Sequence, residues 1–329
     1  MMMSNDTGEN LYTHIRVWAS ATAFIILLFF NLVINWTIVT EDRLRNHARF
    51  VLVFHLLFSA LIYFAVCFIF YLQIDLDVTM DASTCVALIT ILTTSASNIL
   101  FTITAMALDR YFAICFPLKY SGNYFKLWPW CLGILTWGLA SIIPLTLFPK
   151  EDNATTHSGN CRREKLKGGE VHKILLISLC TVLILYSYVR ILCEGRRLGV
   201  LNRRNRAGCK TIALHGAQLA VYIIPNFINF VLHVLKNKKV IAIETKDRSA
   251  VITFVFFSLA QCIAPIVYGL RKEELLEHLC HRYPCLSCRL KSILEWTVNV
   301  THPHHCPQQR ERRMTSETLL SRETSQTTV

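Results

Sequence analysis

The sequence places an acid and a base side by side at the end of a long uncharged segment. Residues 86–108 contain no Asp, Glu, Lys or Arg, and Asp109 and Arg110 follow directly. Two opposite charges can neutralise one another, which lowers the cost of a guanidinium at the edge of a bilayer. The pair could also act as a latch, because an arginine released by its aspartate can turn towards a partner that enters between parted helices. The alternative is a charge pair that only marks the end of a membrane span.

A second group of candidate ligands lies near the C-terminus. Cys285, Cys288, His302 and Cys306 have the spacing Cys-x2-Cys-x13-His-x3-Cys, which is close to that of a zinc knuckle. The residues between them offer little signal for compact folding, and cysteines that follow an amphipathic segment beside a membrane also carry reversible acyl chains. We expect palmitoylation at Cys280, Cys285 and Cys288 and no metal site. An inert role and a zinc site remain the alternatives.

Long apolar segments make up most of the chain between residues 17 and 270. The chain has 329 residues, of which 53% are apolar and 17% are charged, whereas soluble domains average about 45–50% and about 25%. A membrane-spanning helix needs about 20 apolar residues. The uncharged runs of this order are Val17–Thr40, Phe50–Ile74, Val86–Leu108, Leu127–Pro149, Ile174–Val189, Thr211–Leu235 and Ser249–Leu270. The fifth is short, and snorkelling by Lys173 and Arg190 extends it to about Cys193. Runs without polar stripes exclude a soluble bundle, so the sequence predicts an all-α membrane protein with seven transmembrane helices.

The distribution of basic residues predicts how the chain sits in the membrane. With the N-terminus outside, 22 of the 34 Lys and Arg residues lie on the inner side, which follows the positive-inside rule. We expect an extracellular N-terminus (1–16), a seven-helix domain (17–270), an amphipathic surface helix (271–281) and a disordered cytoplasmic tail (282–329), in the plasma membrane. The net charge of +12 then reflects topology and lipid headgroups, not a nucleic-acid partner. The first run is too long for a cleaved signal peptide and is expected to act as a signal anchor.

This orientation sorts the cysteines and the glycosylation sequons. Of the thirteen cysteines, Cys85 and Cys161 are the two that face the oxidising side, and we expect a disulfide between them. The sequons at Asn5 and Asn153 also fall on the outer side and are predicted to carry glycans.

The residues around Asp109 also resemble a known signature. Met106–Tyr120 reads "MALDRYFAICFPLKY", which strongly resembles the third-helix motif of odorant receptors, within the rhodopsin-like G-protein-coupled receptors. Further matches are Asn35 in the first helix, Trp137 in the fourth, Ser187-Tyr188 in the fifth, "KTIALHGAQL" with His215 in the sixth, and "PIVYGLRKEE" with Tyr268 after the seventh. The overall pattern is most similar to a divergent fish or amphibian odorant-receptor subgroup.

The resemblance implies a receptor that detects small odorants and activates a heterotrimeric G protein. It implies no cofactor. The residues that it assigns to activation and coupling are Asp109, Arg110, Tyr111, Tyr188, His215 and Tyr268. Arrestin and a receptor kinase are implied as further partners, acting on the hydroxyl-rich segment 315–325. The terminal residues 327–329 (Thr-Thr-Val) also fit a ligand of a PDZ protein.

The outer half of the third run supplies the candidate ligand pocket. No acidic residue lies in residues 86–108, so a protonated amine has no obvious counter-ion there. The candidate ligand-binding residues are Leu92, Thr93, Ala96, Ser97 and, from the sixth run, Tyr222. Thr93, Ala96 and Ser97 form a small, weakly polar surface suited to a modest organic ligand, although Ser and Thr also serve ordinary helix packing in membranes. Asn98 is expected to tie helices together. The basic outer loops could steer anionic odorants; solvated loop charge is the alternative.

Three positions depart from the family pattern. Ala60 stands where most such receptors keep an aspartate that holds a sodium ion, and Ala264 replaces an asparagine of the seventh helix. We therefore expect the sodium site to be absent or rebuilt. Ile223, two residues before Pro225, replaces an aromatic switch residue, for which Tyr222 could substitute.

Other functions fit the sequence less well. A non-olfactory rhodopsin-like receptor is the nearest alternative. A transporter or channel would carry charged residues at mid-membrane or broken helices in matched halves, and the sequence shows neither. An enzyme is not expected, because His55, His215 and His233 are scattered and no His/Asp/Glu cluster lies within the runs.

Glycosidase treatment tests the predicted orientation. Replacing Asn5 and Asn153 with Gln should abolish the mass shift that a peptide N-glycosidase produces, because only outer sequons meet the glycosylation machinery. Asn35→Gln and Asn299→Gln should leave the shift unchanged, since these sequons lie in a span and on the inner side. A shift that depends on Asn299 would reverse the orientation.

Overall fold

The structure, a computed structural model, is built from helices. It describes residues 3–116, 128–147, 170–197, 243–266 and 273–283, with a few isolated positions between 216 and 232. The elements in these ranges are α1 (Met3–Phe30), a π-helical turn (Asn31–Asn35), α2 (Trp36–Thr40), α3 (Asp42–Arg45), α4 (Ala48–Asp75), α5 (Ala82–Cys115), α6 (Trp128–Leu147), α7 (Glu170–Arg197), α8 (Ile243–Ala264) and α9 (Glu273–Arg282). No strand occurs in the described part of the chain. All of these helices lie in the compact unit Met1–Tyr283.

Several of these helices are long enough to cross a bilayer. Among the described residues, the segments long and apolar enough are Asn10–Thr40, Ala48–Asp75, Ser83–Cys115 and Leu175–Arg197. Two shorter apolar segments lie in α6 and α8. The 28 residues of α4 make a helix about 42 Å long, which exceeds a hydrocarbon core of about 30 Å. These segments coincide with the first five and the seventh predicted spans; most of the sixth lies outside the described residues.

The first span carries an aromatic anchor at each end. Trp18 and Trp36 are 72% and 57% exposed and lie 18 positions apart, which corresponds to about 27 Å along a helix. Trp is enriched at both membrane interfaces, and this separation matches the thickness of the hydrocarbon core. The helix begins well before Val17, at Met3, and includes the polar segment that precedes the apolar run. α1 therefore extends beyond the predicted span.

Two asparagines join the first helix to α4. Asn31 donates from Nδ2 to the carbonyl oxygens of Leu27 at 2.8 Å and Leu57 at 3.1 Å. Asn35 donates to Oδ1 of Asn31 at 2.6 Å. Both amides lie in the π-helical turn, a distortion that is common where a helix makes a specialised contact. In this turn both side chains point towards the backbone of α4.

Aromatic rings join α4 to α8. The ring of Phe254 lies 6.2 Å from that of Phe64 and 5.7 Å from that of Tyr71, between centroids. One turn further along α8, Phe257 lies 5.6 Å from Tyr63 and 6.0 Å from Phe64. The partners move backwards along α4 as the chain moves forwards along α8, so the two helices are antiparallel at this contact.

A glycine brings α6 close to α4. A Cβ atom on Gly133 would lie 2.0 Å from Nε2 of His55. The imidazole is 7% exposed and has little room to move, because the ring of Trp130 lies 5.7 Å from it and the ring of Phe54 5.4 Å. Small residues at a helix interface let membrane helices approach closely. Here the missing side chain makes room for a histidine.

The last described helix, α9, packs back onto the start of the bundle. Leu275 and Leu279 are buried, one turn apart on the same face. Nη1 of Arg282 donates to Oγ1 of Thr40 at 3.0 Å. α9 occupies most of the range 271–281 that the sequence predicts for a surface helix, and an amphipathic helix of this kind lies along an interface instead of crossing it.

Gly133→Ala should destabilise the protein by about 1–3 kcal/mol, because overpacking a tight contact forces neighbouring side chains to shift. Thermal unfolding of the purified protein in detergent measures the effect. Gly138→Ala is the matched control, since a Cβ there meets nothing within 4 Å, and it should be neutral or stabilising by up to about 1 kcal/mol. Equal melting temperatures for the two variants would contradict the packing described here.

Candidate functional site

α5 holds more of the predicted functional residues than any other described helix. Cys85 lies in its first turn and Arg110 near its last. The ends of the bundle are named the Cys85 end and the Arg110 end accordingly. The 34 residues of α5 span about 51 Å, so the helix passes through the whole bilayer. A displacement of α5 is therefore felt at both membrane surfaces.

Arg110 interacts electrostatically with a tyrosine of α7. Tyr188 is half-buried on α7, and the guanidinium of Arg110 lies close enough to interact electrostatically with its hydroxyl. The sequence predicted both residues for activation, and the structure brings them together. Asp109 is half-buried beside them and takes part in an interaction of its own. Pairing between Asp109 and Arg110 stays a prediction.

A second contact between α5 and α7 lies beside the first. The ring of Tyr111 lies 6.0 Å from the ring of Tyr186, at an interplanar angle of 59°. The hydroxyl of Tyr111 is hydrogen-bonded to Tyr186 and accepts a hydrogen bond from Arg190. The sequence predicted Tyr111 for activation, but not Tyr186 or Arg190. Their signal was present in the sequence, because polar residues four positions apart share one face of a helix.

These contacts form a polar rim at the Arg110 end. Each hydrogen bond between neutral or singly charged groups contributes about 0.5–3 kcal/mol net, so a few of them can hold α5 against α7 without making the contact permanent. Separation of α5 from α7 would release the guanidinium of Arg110 on α5 and that of Arg190 on α7. A population shift requires two arrangements whose free energies differ by only a few kcal/mol.

The candidate ligand residues lie in the half of α5 nearer to Cys85. Ser97 is buried, and Leu92, Thr93 and Ala96 are half-buried. Asn98, one position beyond, donates from Nδ2 to Oγ of Ser59 at 2.6 Å. It therefore ties α5 to α4, as the sequence predicted, and the ligand-binding role of the other four stays a prediction.

The Cys85 end is held by a covalent bond. Cys85 is disulfide-bonded and 5% exposed. α5 starts immediately before it, where the carboxylate of Asp81 accepts a hydrogen bond from the backbone N–H of Ser83 at 3.3 Å. An acidic N-cap satisfies a free N–H group and complements the positive end of the helix dipole. The predicted partner, Cys161, lies outside the described residues.

Other predicted residues also lie outside the described ranges: Asn153, His215, Tyr222, Tyr268, Cys285, Cys288, His302, Cys306 and the tail from residue 284. Asn5 and Cys280 fall within the backbone of α1 and α9. No group of three or more His, Cys, Asp or Glu side chains that could hold a metal occurs among the described residues.

Most of the chain matches a known family. The family model for the 7 transmembrane receptor (rhodopsin family) matches residues 30–268, from the start of the π-helical turn to beyond α8. The chain belongs to the rhodopsin family of seven-transmembrane receptors. The predicted all-α membrane fold, a bundle of seven helices, is confirmed, and so is the resemblance to rhodopsin-like receptors.

Odorant and olfactory receptors are among the curated proteins to which this chain is similar. Odorant receptor 131-2 of Danio rerio is 25% identical over 209 residues, which cover 58% of this chain and 63% of the relative. Olfactory receptor 52B2 of Homo sapiens is 25% identical over 199 residues, 54% of the chain and 59% of the relative. Olfactory receptor 1J21 of Mus musculus is 23% identical over 190 residues, 53% and 59% respectively. The matches span less than two thirds of each relative. Within its family, this receptor is thus similar to odorant receptors of a fish and of mammals.

A double-mutant cycle tests the predicted partner of Cys85. Cys85→Ser and Cys161→Ser should each lower surface expression and thermal stability, because removing a disulfide of an extracellular domain typically costs about 2–5 kcal/mol. The double variant should be no worse than either single variant, since both remove the same bond. Additive losses would show that the two cysteines have different partners.

Proposed function

We propose that this receptor detects small odorant molecules and activates a heterotrimeric G protein. The observation that supports coupling is the electrostatic interaction between Arg110 of α5 and Tyr188 of α7, which places a cation near a neighbouring helix at one end of a rhodopsin-family bundle. The relatives named as odorant or olfactory receptors support the ligand class. The nearest alternative, a rhodopsin-family receptor for another small ligand, shares the fold and the coupling end.

The Arg110 end is proposed to be cytoplasmic. With this orientation the N-terminus and Cys85 lie outside the cell, where the oxidising environment allows a disulfide to persist. The basic last turn of α7, with Arg196 and Arg197, then faces the anionic inner leaflet, in agreement with the positive-inside rule. The proposed site of action is the plasma membrane.

The ligand is proposed to bind against the half of α5 nearer to Cys85. Leu92, Thr93, Ala96 and Ser97 present small and weakly polar groups, and no carboxylate lies in the same segment. Burying a cationic ligand without a counter-charge is costly, which favours neutral or anionic odorants over amines. Each good hydrogen bond from Thr93 or Ser97 would orient the ligand, and apolar contacts would supply most of the affinity.

Activation is proposed to part α5 from α7 at the cytoplasmic end. Ligand binding would favour the arrangement in which Arg110 no longer interacts with Tyr188 and Tyr111 no longer interacts with Arg190. The released cations and the opened space would receive the G protein. Phosphorylation of the C-terminal tail by a receptor kinase would add negative charge and recruit an arrestin, and the last three residues would bind a PDZ protein.

Arg110→Ala should reduce odorant-evoked cyclic-AMP production at least tenfold at equal surface expression, because the variant lacks the cation that the G protein is proposed to meet. A reporter assay against a panel of water-soluble odorants measures this. Arg45→Ala is the matched control: the side chain of Arg45 is exposed at the same end and pairs with the exposed side chain of Asp42, at 2.7 Å, and such surface pairs contribute little. The control should keep at least half of the response.

Two outcomes would contradict this proposal in different ways. An unchanged response in Arg110→Ala would remove Arg110 from coupling. A receptor that reaches the surface but responds to no member of a broad panel of neutral and acidic odorants, while responding to another class of small ligand, would favour the non-olfactory alternative.

A further inference from the structure

A row of polar side chains is buried in the middle of α5. Ser95, Asn98 and Thr102 are each 0% exposed, and their spacing places them on one face of the helix. This face packs against α4, because Asn98 donates to Oγ of Ser59 at 2.6 Å. Ser59 in turn donates to the carbonyl oxygen of His55 at 2.5 Å. The amide of Asn98 is thus satisfied on its nitrogen side only: Oδ1 is buried without a hydrogen-bond partner among the described residues.

Gln261 of α8 lies at the same depth. Phe257 contacts Tyr63 and Phe64 of α4, and the two helices are antiparallel. Moving one turn on along α8 to Gln261 therefore moves one turn back along α4, to Ser59 and Ala60. Gln261 is 0% exposed, and neither its oxygen nor its nitrogen has a hydrogen-bond partner among the described residues.

The side-chain amides of Asn98 and Gln261 are thus placed at the same depth, and both have atoms without a hydrogen-bond partner among the described residues. This points to a small molecule that hydrogen-bonds to both amides. An amide that is buried in an apolar bundle without a partner is costly, and native structures satisfy such groups, commonly with ordered water that bridges two to four of them. Ser59, Asn98 and Gln261 together offer donors and acceptors from three helices. Oδ1 of Asn35, which lies on the first helix and is also unpartnered, is a fourth candidate.

The chemistry of this cluster does not fit the sodium ion that the family resemblance implies. The flanking residues are Ala60 and Ala264, each 0% exposed. The uncharged runs 50–74, 86–108 and 249–270 contain no carboxylate, so α4, α5 and α8 supply no negative charge at mid-membrane. A cation that is surrounded only by neutral amide and hydroxyl groups in a bilayer would remain uncompensated. Water needs no counter-charge and can use both the donors and the acceptors.

We infer that Ser59, Asn98 and Gln261 form a neutral, water-binding junction between α4, α5 and α8, which replaces the sodium site at this level of the bundle. The junction holds the three helices together through water-mediated hydrogen bonds, which are nearly as favourable as direct ones. The stability of this receptor is therefore independent of sodium.

The first test uses the full-length receptor purified in detergent. Its thermal unfolding is measured in NaCl, KCl and N-methyl-D-glucamine chloride at equal ionic strength. The melting temperature should be the same in all three salts. A rise that is specific to sodium would overturn the inference. Neither an odorant nor a G protein enters this measurement, so its result is separate from that of the proposed function.

The second test separates a hydrated junction from a dry one. Gln261→Met keeps the length of the side chain and removes the amide. If water bridges the amide, the variant should melt several degrees lower than the wild type; if the amide is dry, its removal should raise the melting temperature, and that outcome would overturn the inference. Ser258→Ala is the matched control on α8, because its buried hydroxyl already donates to the carbonyl oxygen of Phe254 at 2.8 Å. It should change the melting temperature less than Gln261→Met does.

The third test restores the missing charge. Ala60→Asp places a carboxylate beside Ser59, and the variant should melt at a higher temperature in sodium than in potassium or N-methyl-D-glucamine. A folded Ala60→Asp receptor with no sodium dependence would show that Ala60 is not the reason for the sodium independence of the wild type, and would overturn that part of the inference.

Discussion

In a bilayer core, a polar group can find a partner only inside the protein. Several hydroxyl residues of this receptor meet that constraint locally. Thr37, Thr104, Thr181 and Ser187 each donate to the carbonyl oxygen four residues earlier in their own helix, so they place no demand on a neighbouring helix. Asn, Gln and His differ, because their donors and acceptors point in two directions and one helix cannot satisfy both. Asn31 and Asn98 accordingly donate to groups of a neighbouring helix, α4.

Asn and His residues lie at several of the contacts between helices. Asn31 and Asn35 join the first helix to α4, and Asn98 joins α4 to α5. His55 occupies the space that Gly133 leaves between α4 and α6. On α8, Gln261 is buried at the inferred depth of Ser59, and its amide has no hydrogen-bond partner among the described residues. The aromatic rings between α4 and α8 fill the space around these polar positions, and they fix the relative height of the two helices.

Charged groups are excluded from this interior and gather at its ends. Arg110 and Arg190 lie where α5 and α7 approach the membrane surface, and both interact with tyrosines of the opposite helix. Tyrosine suits this position, because its ring is apolar while its hydroxyl reaches the interface. Ser97 and Arg110 lie 13 positions apart on one continuous helix, about 20 Å. The proposed ligand residues and the proposed coupling end are thus parts of one rigid element, whose rotation or displacement moves both.

The sequence by itself determined the membrane spans, the family and the polar end of the third span. Long uncharged runs such as 86–108 are stable only in a bilayer, and this is a local property that needs no knowledge of neighbouring helices. The tertiary structure alone decided which residues of different spans meet: Tyr186 and Arg190 with Tyr111, and Gly133 with His55. The physical reason is that a span apolar on every side has no polar face to reveal its rotation. Periodicity shows which residues share a face of one helix, but packing and hydrogen bonds decide which face turns inward and at what height it meets its neighbour.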